Sequence, residues 1–155
     1  MVNPDLAKIQ SLLHEHHRLL LTTLKQDREK MHGKVLNPAE WFQILLGSAE
    51  YGWLKPLNSL ISDIDALLEA KSISPSDLGI LHHELERFFF KEDGDATSFN
   101  YHYRKLFSSN PDVMFSHGHL REAYSILPVE NPPSNAEEIR RGWHKIGASK
   151  RKLLN

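Results

Sequence analysis

Apolar side chains recur along this chain at helical rather than strand spacing. Leu6, Ile9, Leu13, Leu20, Leu24 and Met31 fall on one stripe, which predicts an amphipathic helix over residues 4 to 32, roughly 40 Å long at about 1.5 Å per residue. Trp41, Phe42, Leu45 and Leu46 make a short apolar helix ended by Gly47. Leu57, Leu60, Ile61, Ile64, Leu67 and Leu68 make the next, with Pro56 in its first turn or at a kink. Residues 75 to 90 turn Leu78, Leu81, Leu85, Phe88 and Phe89 inward. A shorter helix over 98 to 108 carries Phe99, Tyr103, Leu106 and Phe107, and residues 111 to 127 use Val113, Leu120, Tyr124 and Leu127. No stretch sustains an alternation of apolar and polar residues, so no sheet is expected.

The helix starts are marked four times in one way: Asn3-Pro4-Asp5, Asn37-Pro38-Ala39-Glu40, Ser74-Pro75-Ser76-Asp77 and Asn110-Pro111-Asp112. In each, Asn or Ser can cap, proline sits where its missing N–H costs nothing, and an acid meets the helix dipole. Ser134-Asn135-Ala136-Glu137 has capping-box spacing and adds a fifth start, while Gly33 reads as the first helix's stop. The proline starts recur every 34 to 37 residues, but the units share no internal pattern and predict no repeat array. The expectation is an all-α, single-domain bundle of six to seven helices and no sheet. Residues 1–130 form the bundle; a Pro132-Pro133 linker and a basic helix, within 131–155, pack on the same domain.

Composition narrows the chemistry. A chain of 155 residues that is 40% hydrophobic can bury a core without disulfides or a structural metal. With no cysteine, zinc ribbons, thiol nucleophiles and redox pairs are excluded. The start lacks the basic and apolar stretches of a secretory signal, and apolar runs are only a few residues long, so no membrane span is expected and a cytoplasmic location is. There is no nucleophile elbow, Walker loop, dinucleotide glycine pattern or His-Glu-x-x-His, and this leans away from an enzyme.

Ten histidines stand out, because imidazole is the commonest metal ligand. His16 and His17 flank the centre of the first stripe, with His17 the better candidate to face inward; His14 points away. His82 and Glu86 are four residues apart on one boundary face, and His117 lies within the stripe of its helix. Interior imidazoles of this kind ordinarily bond carboxylates or carbonyls across a bundle.

Two resemblances attach to these segments. Glu15-His16-His17-Arg18-Leu19-Leu20 and His82-His83-Glu84-Leu85-Glu86-Arg87-Phe88-Phe89 are partly similar to helices of hemerythrin-like proteins. That resemblance implies His17, His82, Glu86 and His117 converging on iron or another divalent metal; without it, no cofactor is expected. The run from Phe42 to Ile61, through Trp53-Leu54-Lys55-Pro56-Leu57, resembles a family of bacterial helical proteins of unassigned function. It implies a bacterial cytosolic helical fold and no particular chemistry.

The Trp53 corner reads first as a tight turn whose tryptophan packs inward. Its functional reading makes Tyr51, Trp53 and Lys55 the rim of a small-ligand pocket, with Lys55 meeting an anionic group. Residues 134 to 155 hold six basic side chains against Glu137 and Glu138, about +4 there and about −5 elsewhere. Ile139, Trp143 and Ile146 near one face could dock on the bundle or on a partner, with Arg140, Arg141, Trp143 and Lys145 as partner-binding candidates. A domain-wide basic footprint is missing, which disfavours nucleic acid. The sequence therefore favours a non-catalytic helical-bundle binding or regulatory protein, with a protein partner or self-association. A His/carboxylate metalloprotein and a small-ligand pocket near Trp53 stand as alternatives.

Overall fold

The computed structural model describes residues 3–154 except 71, 93, 96 and 130, with side chains described as far as Lys145. Among the described residues the chain forms seven α helices and no strand: α1 Pro4–His32, α2 Pro38–Gly47, α3 Lys55–Leu68, α4 Pro75–Leu85, α5 Phe99–Ser109, α6 Pro111–Tyr124 and α7 Ala136–Leu154. The all-α single-domain bundle is thus the observed architecture. A 3₁₀ turn, Ala49–Leu54, joins α2 to α3.

The caps act as their residue types dictate. The side-chain oxygen of Asn3 accepts from the Leu6 N–H at 3.0 Å, and that of Asn37 from the Glu40 N–H at 2.8 Å. Ser74 and Asp77 exchange both bonds of a capping box. Gly33 ends α1 at φ 65°, where a Cβ would be strained. Asn110 does two jobs: its Oδ1 caps α6, and its Nδ2 donates to Thr23 Oγ1 at 3.3 Å, tying the start of α6 to the middle of α1.

Helix α1 is the central rod. It packs along α6 and against α3, while α5 lies on α6 and α7 packs on α3 and α4. Leu6, Ile9, Leu13 and Leu20 are buried on its inward face, but Met31, expected on the same stripe, is 78% exposed. Residues 86 to 90 also depart from the expected single helix. Glu86–Phe90 widens into a π turn, which lets Phe88 and Phe89 both enter the core while Phe90 stacks on Tyr124 at 4.4 Å. The Phe88 carbonyl at this widened end accepts from the buried Asn100 amide at 2.9 Å.

The C-terminal helix is fastened to the bundle by polar groups around a buried tryptophan. Trp143 is 3% exposed and its Nε1–H donates to Asp77 Oδ1 at 3.0 Å, so one carboxylate both caps α4 and anchors α7. Arg140 donates from Nε (2.9 Å) and Nη2 (2.5 Å) to Asp63 Oδ2, and His144 Nε2 meets Oδ1 of the same group at 2.5 Å. Two of the residues proposed to face a partner, Arg140 and Trp143, are engaged within the chain; Arg141 and Lys145 are exposed. The side chains of Ile146, Lys150, Arg151 and Lys152 lie outside the described residues.

Candidate functional site

The stripes of α1, α5 and α6 bring four polar side chains together inside the bundle. Ser116 Oγ lies 2.8 Å from His16 Nδ1, His16 Nε2 lies 2.8 Å from the Tyr103 hydroxyl, and that hydroxyl lies 2.7 Å from His117 Nδ1. His16 and Tyr103 are wholly buried and His117 nearly so. Aromatic rings enclose the chain of bonds. Phe89 makes T-shaped contacts with His16 and with Tyr103, Phe99 stacks on Tyr103, and Phe107 and Phe90 flank His117 at 4.4 and 5.0 Å.

Burial sets the protonation of this row. Loss of solvation pushes the His16 pKa down to about 4, and the neighbouring His117 and His17 push the same way. Burial likewise lowers His117 to about 4, assisted by Arg121 and Arg104, and holds Tyr103 firmly protonated. At neutral pH both rings are therefore uncharged. With one proton on the Tyr103 oxygen, one imidazole must donate to it and the other accept from it. The row is a satisfied cross-brace between three helices, with every bond directed.

It was His16, rather than His17, that the fold turned into the core. The two differ by 100° around α1, and α5 supplies the Tyr103 hydroxyl on the His16 side. His17 is half-buried and bonds the Asn58 side chain; desolvation lowers its pKa more than that bond raises it. His82 is buried against the Tyr124 ring at 4.7 Å, with Nδ1 3.9 Å from the Glu86 carboxylate. His82 and Glu86 are thus neighbours, His17 and His117 bond other partners, and among the described residues no three His, Asp or Glu side chains are arranged to hold a metal ion.

The other feature is an open cleft of about 490 Å³ beside α2. It is lined by His17 and Leu21 of α1, by Phe42, Leu45 and Leu46 of α2, by Tyr51 and Leu54 of the 3₁₀ turn, and by Lys55 and Asn58 of α3. It exists because α2 is too short and too apolar all round to bury itself. Only Trp41 of α2 is buried, packed edge-on to Tyr51 at 5.3 Å, which leaves Phe42 and Leu46 59% and 66% exposed one turn apart.

Of the residues expected at a pocket rim, Tyr51 and Lys55 line this cleft and Trp53 does not. Trp53 stacks on His102 at 5.1 Å and leans on Phe99, on a different side of the corner. The roles of Tyr103 and Ser116 were missed in the sequence, where Tyr103 was simply an apolar-stripe member. The signal available was that a tyrosine centred on a core stripe needs a partner for its hydroxyl, and two other stripes carried histidines. Among the described residues no helix is long and apolar enough to cross a membrane. Searches against family models, curated proteins and solved structures found no match to this chain.

Proposed function

We propose that this protein is a non-catalytic helical-bundle binding module, and that its ligand is a small molecule with an apolar body held in the α2 cleft. The observation that carries this reading is the cleft itself: a recess of about 490 Å³, walled by exposed Phe42 and Leu46 and by Leu45, Leu21 and Leu54, with a few polar groups converging on it. Its volume falls in the range of ligand sites, about 300–1,000 Å³, and its lining follows the same pattern of apolar walls with sparse polar groups. Two large apolar side chains one turn apart on a short helix gain from being covered, at about 25 cal/mol per Å² removed from water. The binding reading, as against a catalytic one, is supported by where the largest pKa shifts lie, although His17, its own pKa lowered by burial, belongs to the cleft lining. His16, Tyr103 and His117 are bonded to one another in the interior, and none of them lines the cleft.

The test uses a neutral apolar fluorophore, N-phenyl-1-naphthylamine, titrated with the full chain. Saturable one-to-one fluorescence enhancement is expected, and the double variant Phe42→Ser/Leu46→Ser should lose most of it while keeping the parent's helical circular dichroism. Enhancement that does not saturate, or that survives in the double variant, overturns the assignment of the cleft. A dimer in the parent that dissociates in the double variant would instead make this face a self-association surface.

A further inference from the structure

Resting on that reading, we infer that the cleft's ligand is a free amphipathic monoanion: an apolar chain or ring system carrying one carboxylate, which Lys55 pairs with. The sign and number of charges around the recess point to it. Among the described residues, Lys55 is the one permanently charged side chain of the lining, and no Asp or Glu lines it. Lys55 is exposed and has no ion-pair partner among the described residues. Glu50, the acid nearest to it in sequence, is held by Arg28 at 2.9 Å. An ammonium left unpaired beside apolar walls favours a ligand that brings its own negative charge, and it disfavours a cation or a dication outright.

The remaining polar lining is made of donors suited to the second carboxylate oxygen. Asn58 stands three residues after Lys55, on the same face of α3, and beside its bond to His17 its amide keeps an N–H to give. The Tyr51 hydroxyl accepts from Arg28 at 3.4 Å, so its own proton is available to a ligand. Burial lowers the His17 pKa below its ordinary value, which disfavours a second positive charge in the lining at neutral pH. The single lysine is matched to a single anionic charge. A polyanion would also face the bundle outside the C-terminal segment, which carries about −5. Phosphate-rich ligands are therefore a poorer fit than a carboxylate on a hydrocarbon body.

The experiment is isothermal calorimetry of the full chain with three matched ligands below their micelle concentrations: decanoate, decanol and decyltrimethylammonium. Each is measured against the parent, Lys55→Gln and Lys55→Arg. Decanoate should bind the parent about fivefold more tightly than decanol, the factor that about 1 kcal/mol from a solvent-accessible ion pair gives, and decyltrimethylammonium more weakly than both. Lys55→Gln should close the gap between decanoate and decanol, and Lys55→Arg should keep it. Equal binding of decanoate and decanol by the parent overturns the inference while leaving the cleft as an apolar site. No decanoate binding overturns it whatever the neutral fluorophore does, and loss of fluorophore binding as well sinks both readings. Co-sedimentation with phosphatidylglycerol vesicles, combined with no response to free decanoate, would assign the charge preference to a lipid surface and also overturns it.

Discussion

Replacing Tyr103 with Phe deletes one oxygen from the centre of the buried row and leaves two imidazole nitrogens facing hydrocarbon. His16 Nε2 and His117 Nδ1 lie 2.8 and 2.7 Å from that oxygen, and Phe89, Phe99 and Phe107 leave no polar group to replace it. One orphan nitrogen is a donor and the other an acceptor, each costing about 1–3 kcal/mol when buried without a partner. The loss of the hydroxyl's own desolvation offsets part of this. The expected destabilisation is about 3 kcal/mol, or roughly 6–12 °C in Tm for a domain of this size. Urea unfolding followed by circular dichroism at pH 7 reads it directly: the midpoint falls while the slope stays at the parent value, since the surface exposed on unfolding is unchanged. A loss below about 1 kcal/mol would refute the view that Tyr103 is the shared partner of both rings. Ser116→Ala adds an internal check. It acts on the same row through the other nitrogen of His16, so the double variant should depart from additivity.

The row also imposes a pH dependence. His16 and His117 have folded pKa values of about 4 against 6.5 in the unfolded chain, so the unfolded state takes up protons first. Stability is full above pH 6.5 and is lost as the pH falls toward 4, by about 3 kcal/mol for His16 alone. His117→Asn keeps a polar partner for Tyr103 without a titrating ring, and the pH 4–6.5 slope of unfolding free energy should flatten in it; an unchanged slope places the dependence elsewhere. Among the described residues, Asp63→Ala leaves Arg140 with only the Glu84 carboxylate, 3.5 Å away, and should cost about 3 kcal/mol and raise the rate of tryptic cleavage in α7. Unaltered proteolysis would show that Asp63 does not fasten that helix. Trp143→Ala should cost about 3–5 kcal/mol in the same unfolding assay, because the ring is buried and its N–H is bonded to Asp77; a surface-like cost below about 0.5 kcal/mol would mean α7 is detached in solution.

The sequence by itself determined the helices, and the reason is local. An Asn or Ser before a Pro and an acid satisfies the free N–H groups of a first turn whatever surrounds it, and a leucine stripe at 3.6-residue spacing has one amphipathic solution. Hence Asn3, Asn37, Ser74 and Asn110 cap the helices expected of them. Where two adjacent residues straddle the edge of a stripe, the choice passes to the neighbours. His16 is buried and His17 lines a cleft because α5 places a tyrosine hydroxyl on one side of α1 and α2 leaves a gap on the other. The three phenylalanines after Arg87 could not all face inward from a regular helix, and only the packing of α5 and α6 around them selected a π turn. The basic terminal segment shows the same division: its helix was legible in the caps and charges, but that Arg140 and Trp143 close on Asp63 and Asp77 was decided by the approach of α7 to α3 and α4, contacts more than sixty residues apart in the chain. Charge and spacing along a chain fix what a segment can form. Which of its faces meets solvent, a neighbouring helix or a ligand depends on long-range packing, which the local pattern does not encode.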